Sequence, residues 1–417
     1  MGLFDKLKDA AKTAAKQALE GVVTKTTPSQ TQDNVAPDVQ PTAEPVVAVK
    51  PQIEYTKVVD VELNPLANGE YEIAKFVGFE EENMEIPSEI NGQRVVGIAD
   101  GAFFQLNTLT NLKIAEGIRY IGERAFCLCS DLESVVLPNT LEKMGSNCFE
   151  QTKIDEIHVP DSVVALGEGC FNYCTKLKKA ILPDGLTEIP AGTFTDCNML
   201  EEFKFPSAIS IIGDKAFAGT AIIFKEIPQT LTVIGDNAFG GRFQDDDGSY
   251  SPVDEIRLPN TLTTIGVEGL SGLNCLKLIV PASVKSIGEK AFAWLGCVED
   301  EVEVIFEDGC SAELPEGLFF NGTLDSGSSI TSLTIPSTIT VINDIFRGID
   351  QESFMIEVKD EYGRQVYDEY GERIIKWEYK DVICDTPPEN LTIYCDPGSA
   401  AMKFAREKGI NCAKREI

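Results

Sequence analysis

From residue 86 onward, apolar positions recur along the chain with a period of 22 or 23 residues. Phenylalanine marks the period at Phe103, Phe126, Phe149, Phe171, Phe194, Phe217 and Phe239, followed by Leu270, Phe292, Phe319 and Phe346. The intervals are 23, 23, 22, 23, 23, 22, 31, 22, 27 and 27. A second mark is an apolar residue before proline, as in Leu137-Pro138, Val159-Pro160, Leu182-Pro183, Leu258-Pro259 and Ile335-Pro336. A third is an apolar residue before glycine, as in Ile121-Gly122, Leu166-Gly167 and Ile212-Gly213. A fixed period of this length predicts a solenoid. One coil cannot bury its own apolar side, whereas stacked coils bury each other and pair their strands into one parallel sheet.

The segment FCLCSDLESVVLPNTLEKMGSNCF shows the expected coil. Leu132, Val135 and Leu137 are the inward residues of a short strand, and Ser134 and Val136 point outward. Pro138 ends the strand by removing a backbone donor. Leu141 and Met144 re-enter the core, Gly145 turns the chain, and Phe149 fills the interior. Three residues after each phenylalanine stand Cys129, Thr152, Cys174, Cys197 and Thr220. These suit a buried turn where the side chain bonds neighbouring backbone. Cys148 and Cys170 occupy a position that is alanine in other coils, which suggests small buried packing.

Counting back from each proline gives two outward columns. One holds Val136, His158, Ile181, Lys204, Glu226, Arg257 and Ile279; the other holds Ser134, Glu156, Lys179, Glu202, Phe224, Glu255 and Lys277. Mixed charge and exposed apolar groups on an extended concave sheet fit a protein-binding face better than a phosphate or sugar pocket. A plain solvated sheet face is the competing reading. The pattern weakens before Pro228, where Lys225 replaces an inward apolar residue. It is interrupted by GGRFQDDDGSYSPVDE (240–255), the acidic CVEDEVEVIFEDGC (297–310) and NGTLDSGSS (321–329). EYGRQVYD (361–368) is echoed by EYGERIIK (369–376), which predicts a β-hairpin.

Residues 1–22 read as an amphipathic helix, with Leu3, Phe4, Leu7, Ala11, Ala14 and Ala18 on one stripe. Residues 1–26 carry five lysines against three acids, a net of +2, while the whole chain carries 36 basic and 67 acidic residues, a net of −31. Such a helix could lie on an anionic membrane surface, form the seam of a helical oligomer, or serve as a solubilising tail. Residues 23–52, with prolines at 28, 37, 41, 45 and 51, read as a disordered linker.

The acidic balance excludes a general nucleic-acid binder. The start of the chain has no apolar signal-peptide core, so the twelve cysteines are expected as reduced thiols in the cytoplasm. Cysteine spacing and the single histidine, His158, offer no zinc site. No nucleophile–histidine arrangement or phosphate-binding loop is present, so neither an enzyme nor a cofactor is expected. Asp245, Asp246 and Asp247 could chelate calcium weakly but lack the ligand spacing of an EF-hand, with a solvated loop as the competing reading.

The repeat unit (L/I/V)-P-x-x-(L/V)-x-x-(I/L)-G-x-x-A-F-x-x-C-x-x-L resembles that of the BspA-like, or Treponema-type, leucine-rich repeat proteins. Residues 68–103 are similar to that family's first repeat, and 391–410 to its terminal repeat, with Ser399 starting a short helix. The resemblance covers about 68–417. It implies a β-rich repeat solenoid, a right-handed superhelix with a parallel sheet on one face, here preceded by a linker and an N-terminal amphipathic α-helix. The expected divisions are helix 1–22, linker 23–52, N-terminal cap and first repeat 53–102, repeats 103–350, and hairpin, last repeat and cap 351–417. Family members are mostly bacterial, and several are surface proteins implicated in adhesion to host proteins. This chain shows neither a signal peptide nor a wall anchor. The expectation is therefore a non-catalytic scaffold that binds another protein. It would be cytoplasmic, with residues 1–22 as a peripheral contact to the inner membrane surface or an oligomer contact. The alternative is a cell-surface adhesin exported by another route.

Overall fold

The repeated apolar–proline unit folds as a short strand that ends in a tight turn. The computed structural model describes residues 53–79, 81–222, 227–241, 252–296, 301–320, 330–357, 375–384, 387–388 and 390–415. Residues 53–417 form one compact unit. The expected helix and linker, including Leu3, Phe4, Leu7, Ala11, Ala14 and Ala18, lie outside the described residues.

The first strand of each coil joins a parallel ladder. Thr56–Lys57, Asn83–Ile86, Asn111–Ile114 and Ser134–Val136 form one run of it. Glu156–His158, Lys179–Ile181 and Glu202–Lys204 form the next. Ile256–Arg257, Lys277–Val280, Val302–Phe306, Ile330–Ile335, Thr392–Cys395 and Asn411–Lys414 form the third. Val302–Phe306 lies in the acidic segment that reads as an interruption. Its Val302, Val304 and Phe306 are nevertheless buried, so the segment supplies a full rung. After most of the proline-terminated strands the proline carbonyl accepts from the amide three residues on, as from Leu141 to Pro138 (3.1 Å), Val163 to Pro160 (3.0 Å) and Leu262 to Pro259 (2.9 Å). Proline thus ends the strand and also builds the turn.

A second parallel ladder departs from the expected single sheet. Two-residue strands Tyr120–Ile121, Lys143–Met144 and Ala165–Leu166 pair in register, and so do Glu188–Ile189, Ile211–Ile212, Val233–Ile234, Thr264–Ile265 and Ser286–Ile287. Two residues are too few to show an alternating pattern in sequence. They are held because the glycine that follows extends the ladder: the Gly145 amide donates to Ile121 and the Gly167 amide to Met144, both at 2.8 Å.

The phenylalanine turn forms a third ladder. The Phe126 amide donates to Cys148 (2.9 Å), Phe149 to Cys170 (3.0 Å) and Phe194 to Ala216 (2.8 Å). The rings stack through Phe76, Phe103, Phe126, Phe149, Phe171, Phe194, Phe217 and Phe239, with centroids 5.1–6.0 Å apart. The residue three positions on bonds backbone as the pattern predicts. The thiols of Cys129, Cys174 and Cys197 donate to the carbonyls of Phe103, Phe149 and Phe171, each in the preceding coil, at 3.3, 3.2 and 3.1 Å. The hydroxyls of Thr152 and Thr220 donate to Phe149 and Phe217 within their own coils.

Gly145 does not turn the chain, contrary to expectation. The turn is made two residues after the repeated glycine, where Arg124, Asn147 and Lys215 hold φ of 53°, 54° and 56°. The glycines meet the preceding coil instead: a Cβ on Gly145 would lie 2.5 Å from the backbone of Gly122, and one on Gly167 would lie 2.4 Å from Gly145.

The ends close differently. At the N-terminal end, Val61–Pro65 pairs antiparallel with Tyr71–Phe76. Late in the chain, Gly348–Glu357 and Ile375–Cys384 form an antiparallel ribbon. The expected hairpin arm 361–368 and residues 369–374 of its partner lie outside the described residues; the ribbon's second strand starts at Ile375. The last helix, Ala400–Lys408, starts as expected at Ser399, whose hydroxyl accepts from the Met402 amide at 3.2 Å.

Gly167→Ala forces a methyl group against the Gly145–Ser146 backbone and is expected to destabilise by about 1–3 kcal/mol. Gly185 has open space at its Cβ position and an ordinary φ. Gly185→Ala is therefore expected to be neutral or to stabilise by up to about 1 kcal/mol. Urea denaturation of the two variants checks the contrast.

Candidate protein-binding face

Parallel register stacks the outward residues of the first ladder into the two expected columns. In one column Glu156 faces Lys179 and Lys179 faces Glu202; in the other His158 faces Ile181 and Ile181 faces Lys204. Arg257 faces Ile279, and Lys277 faces Glu303. Glu156, His158, Glu202, Lys204, Glu255 and Arg257 are exposed, while Ser134, Lys179 and Lys277 are half-buried. Phe224 and Glu226 lie outside the described residues, as do Asp245, Asp246 and Asp247.

Ile279 corrects the reading. It faces outward but is only 4 % exposed. Its strand lies between Ile256–Arg257 and Val302–Phe306, and the ion pair of Arg257 with Glu307 (2.5 Å) crosses over that strand. Two longer polar side chains therefore cover an apolar one.

The columns differ electrostatically. The column four residues before proline alternates in sign, and its charges pair across the rungs. Lys179 bonds Glu202 at 2.9 Å, and Lys277 bonds Glu303 at 2.9 Å. The hydrogen bond to Glu202, and then its charge, raises the Lys179 pKa. Such exposed pairs offset each other's charge and leave little net field for a partner. In the column two residues before proline, Val136 is 48 % and Ile181 41 % exposed, and His158 stands on the rung between them. An exposed apolar row between polar neighbours is the usual core of a protein contact.

The face also runs beyond both ends of the predicted columns. Asn83, Glu85, Asn111 and Lys113 precede it, with Lys113 paired to Glu85 at 2.8 Å. Ser332, Thr334 and Tyr394 extend it at the other end. The mark that could have located some of these was present: Ile86-Pro87 and Ile335-Pro336 carry the same apolar–proline signal. The strands ending at Ile114, Phe306 and Cys395 lack the proline and were invisible to that count. At the far end a groove of about 860 Å³ lies across the last rungs. Ile305, Thr334, Tyr394 and Ala413 line it together with Glu303, Glu307 and Arg415. Arg415 is bonded to Asp308 and lies 3.8 Å from Asp396.

Reactive groups are sparse on this face. Among the described residues no cluster of three or more His, Cys, Asp or Glu side chains could hold a metal ion. Among the cysteines whose side chains are described, ten are free thiols and nine of these are buried. Burial, reinforced by a hydrogen bond to Glu150, pushes the Cys127 thiol up to about 11, and burial pushes Cys275 up to about 12. Both remain protonated at neutral pH and are poor nucleophiles.

A model of the BspA type leucine-rich repeat region, six copies long, matches residues 96–223, 175–299 and 210–348. The chain belongs to the BspA type leucine-rich repeat family. Several solved structures resemble it. A leucine-rich repeat protein from Treponema pallidum is 24% identical, with 47% of this chain and 92% of that chain covered and a TM-score of 0.41. One from Bacteroides ovatus is 22% identical, with 68% and 89% covered and a TM-score of 0.43. A leucine-rich cell surface protein from Faecalibacterium prausnitzii is 23% identical, with 70% and 90% covered and a TM-score of 0.45. No curated protein matches.

Within these BspA-type coils, the two outward isoleucines should respond oppositely to charge. Ile279→Asp buries an unpaired carboxylate and is expected to destabilise by about 2 kcal/mol or more. Ile181→Asp is expected to stay within about 0.5 kcal/mol of the parent. Denaturant midpoints of the two variants check this.

Proposed function

We propose that the chain is a non-catalytic scaffold that binds a partner protein on the first-ladder face, centred on Val136, His158 and Ile181. The observation that carries the reading is the contrast between the columns. One neutralises itself through Lys–Glu pairs, while the other leaves two apolar side chains exposed on nearby rungs around a histidine. Family membership supports it, because repeat solenoids bind partners along an extended sheet face.

A photo-crosslinking amino acid placed at Ile181 of the full chain tests the reading, with the same group at Val164 as control. Val164 is 73 % exposed and apolar but adjoins the second ladder. A crosslinked protein is expected from position 181 and not from 164. Its affinity is expected to fall at least about tenfold in a Val136→Asp/Ile181→Asp variant. Crosslinking from 164 alone, or unchanged affinity, overturns the reading.

The scaffold is proposed to be cytoplasmic, with residues 1–22 as an electrostatically assisted membrane tether. Lys6, Lys8, Lys12 and Lys16 beside the apolar stripe support this part. Among the described residues no helix is long and apolar enough to cross a membrane. Co-sedimentation with anionic vesicles compares the full chain with a Leu3→Asp/Phe4→Asp/Leu7→Asp variant. Salt-sensitive pelleting of the parent alone is the expected result; equal behaviour of both discards the tether.

A further inference from the structure

The last rung of the first ladder brings two thiols together. Cys395 ends the strand Thr392–Cys395, and Cys412 sits in Asn411–Lys414, the strand at the open edge of its sheet. Cys412 faces Ile393 and Cys395 faces Lys414, so the thiols meet on the diagonal, with their Sγ atoms 3.0 Å apart. Cys395 is buried and Cys412 is exposed. We propose that Cys395 and Cys412 form an oxidisable pair, and that a low-molecular-weight disulfide converts them to a protein disulfide that staples the terminal strand to the ladder.

Exposure assigns the roles. The Cys412 thiolate attacks one sulfur of the oxidant, forming a mixed disulfide and releasing one thiolate, which takes up a proton. Cys395 then loses its proton to solvent and attacks the Cys412 Sγ, expelling the second thiol. Two protein thiols lose two hydrogens, and one disulfide becomes two thiols. Burial, and then the hydrogen bond to Cys412, pushes the Cys395 thiol up to about 12, so Cys395 is not the first attacker, and its attack on the mixed disulfide is slow and relies on the sulfurs being held close together. A disulfide bond is about 2.05 Å long, so the sulfurs must approach by about 1 Å. That movement falls on an edge strand that pairs on one side only and is mostly exposed. Residues 413–415 of this segment line the groove at the end of the face, so the staple fixes one groove wall.

The molecule carries its own control. Cys148 and Cys170 also hold their Sγ atoms 3.0 Å apart, but both are buried. No oxidant reaches them without unfolding.

The experiment treats the folded full chain with oxidised glutathione and maps disulfide-linked peptides by mass spectrometry without reduction. A Cys395–Cys412 link is expected, with Cys148 and Cys170 still reduced. Amide exchange across 411–414 is expected to slow roughly tenfold on oxidation. Cys412→Ser, an exposed substitution, removes the link, and Cys395→Ser leaves Cys412 trapped as the glutathione mixed disulfide. A stable mixed disulfide on Cys412 in the parent overturns the proposal. So does a bond from Cys412 to any other cysteine, or a link that leaves exchange at 411–414 unchanged.

Discussion

Backbone hydrogen bonds between successive coils hold them at about 4.8 Å, and the rest of the molecule answers to that spacing. Three ladders enforce it through most of the regular region: the first strand, the two-residue second strand and the phenylalanine turn. At this separation an aromatic ring finds its equivalent in the next coil at offset-stacking distance. The phenylalanine column is therefore a consequence of the ladders as well as a contributor of about 0.5–1.5 kcal/mol per ring pair. The same separation leaves no room for a side chain where two coils touch after the second strand, so glycine recurs there. It also makes thiol-to-carbonyl bonds between coils possible, as from Cys197 to Phe171 at 3.1 Å.

That regularity has a local cost. Thirteen non-glycine residues among those described hold a positive φ, including the bulky Leu128, Tyr173 and Trp294. Each such residue costs about 1 kcal/mol or more relative to an ordinary conformation. They persist because the turn amides are bonded to the neighbouring coil: Leu128 donates to Glu150 and Tyr173 to Thr195. Strain in one coil is thus offset by bonds to the next, which ties the coils into a cooperative stack rather than a string of independent turns.

What could be read from sequence was what repeats with an apolar signature. Phe103 to Phe239, the proline-terminated strands and Cys129, Cys174 and Cys197 all declared their places, because burial selects their residue type at a fixed spacing. The second ladder escaped, since pairs such as Lys143–Met144 are too short for alternation to register. Gly145 was legible as a special position but not as the right one: a tight turn and a close coil contact both demand glycine, and only the structure separates them. On the face, parity placed the described outward residues of the proline-terminated strands it counted, from Ser134 to Ile279, but missed the rungs that end at Ile114, Phe306 and Cys395, and it could not foresee that the Arg257–Glu307 pair covers Ile279. Parity reports direction, whereas the exposure of Ile279 depends on Arg257 and Glu307, 22 and 28 residues away along the chain.

Stacking at this spacing also explains why the face is divided. Identical charges repeated coil after coil would stand about 4.8 Å apart, and the chain carries a net charge of −31. The sequence of Glu156, Lys179 and Glu202, and that of Glu255, Lys277 and Glu303, breaks the repetition by alternating sign. A column balanced in this way holds the sheet together without advertising a charge. The neighbouring column is less regular: Arg257 reaches across to Glu307, whereas Val136 and Ile181 present exposed apolar side chains, and it is on these that the proposed contact is centred. The Val136–His158–Ile181 row lies where first-ladder pairing breaks between Ser134–Val136 and Glu156–His158. There Val136 and Ile181 present apolar surface rather than charge.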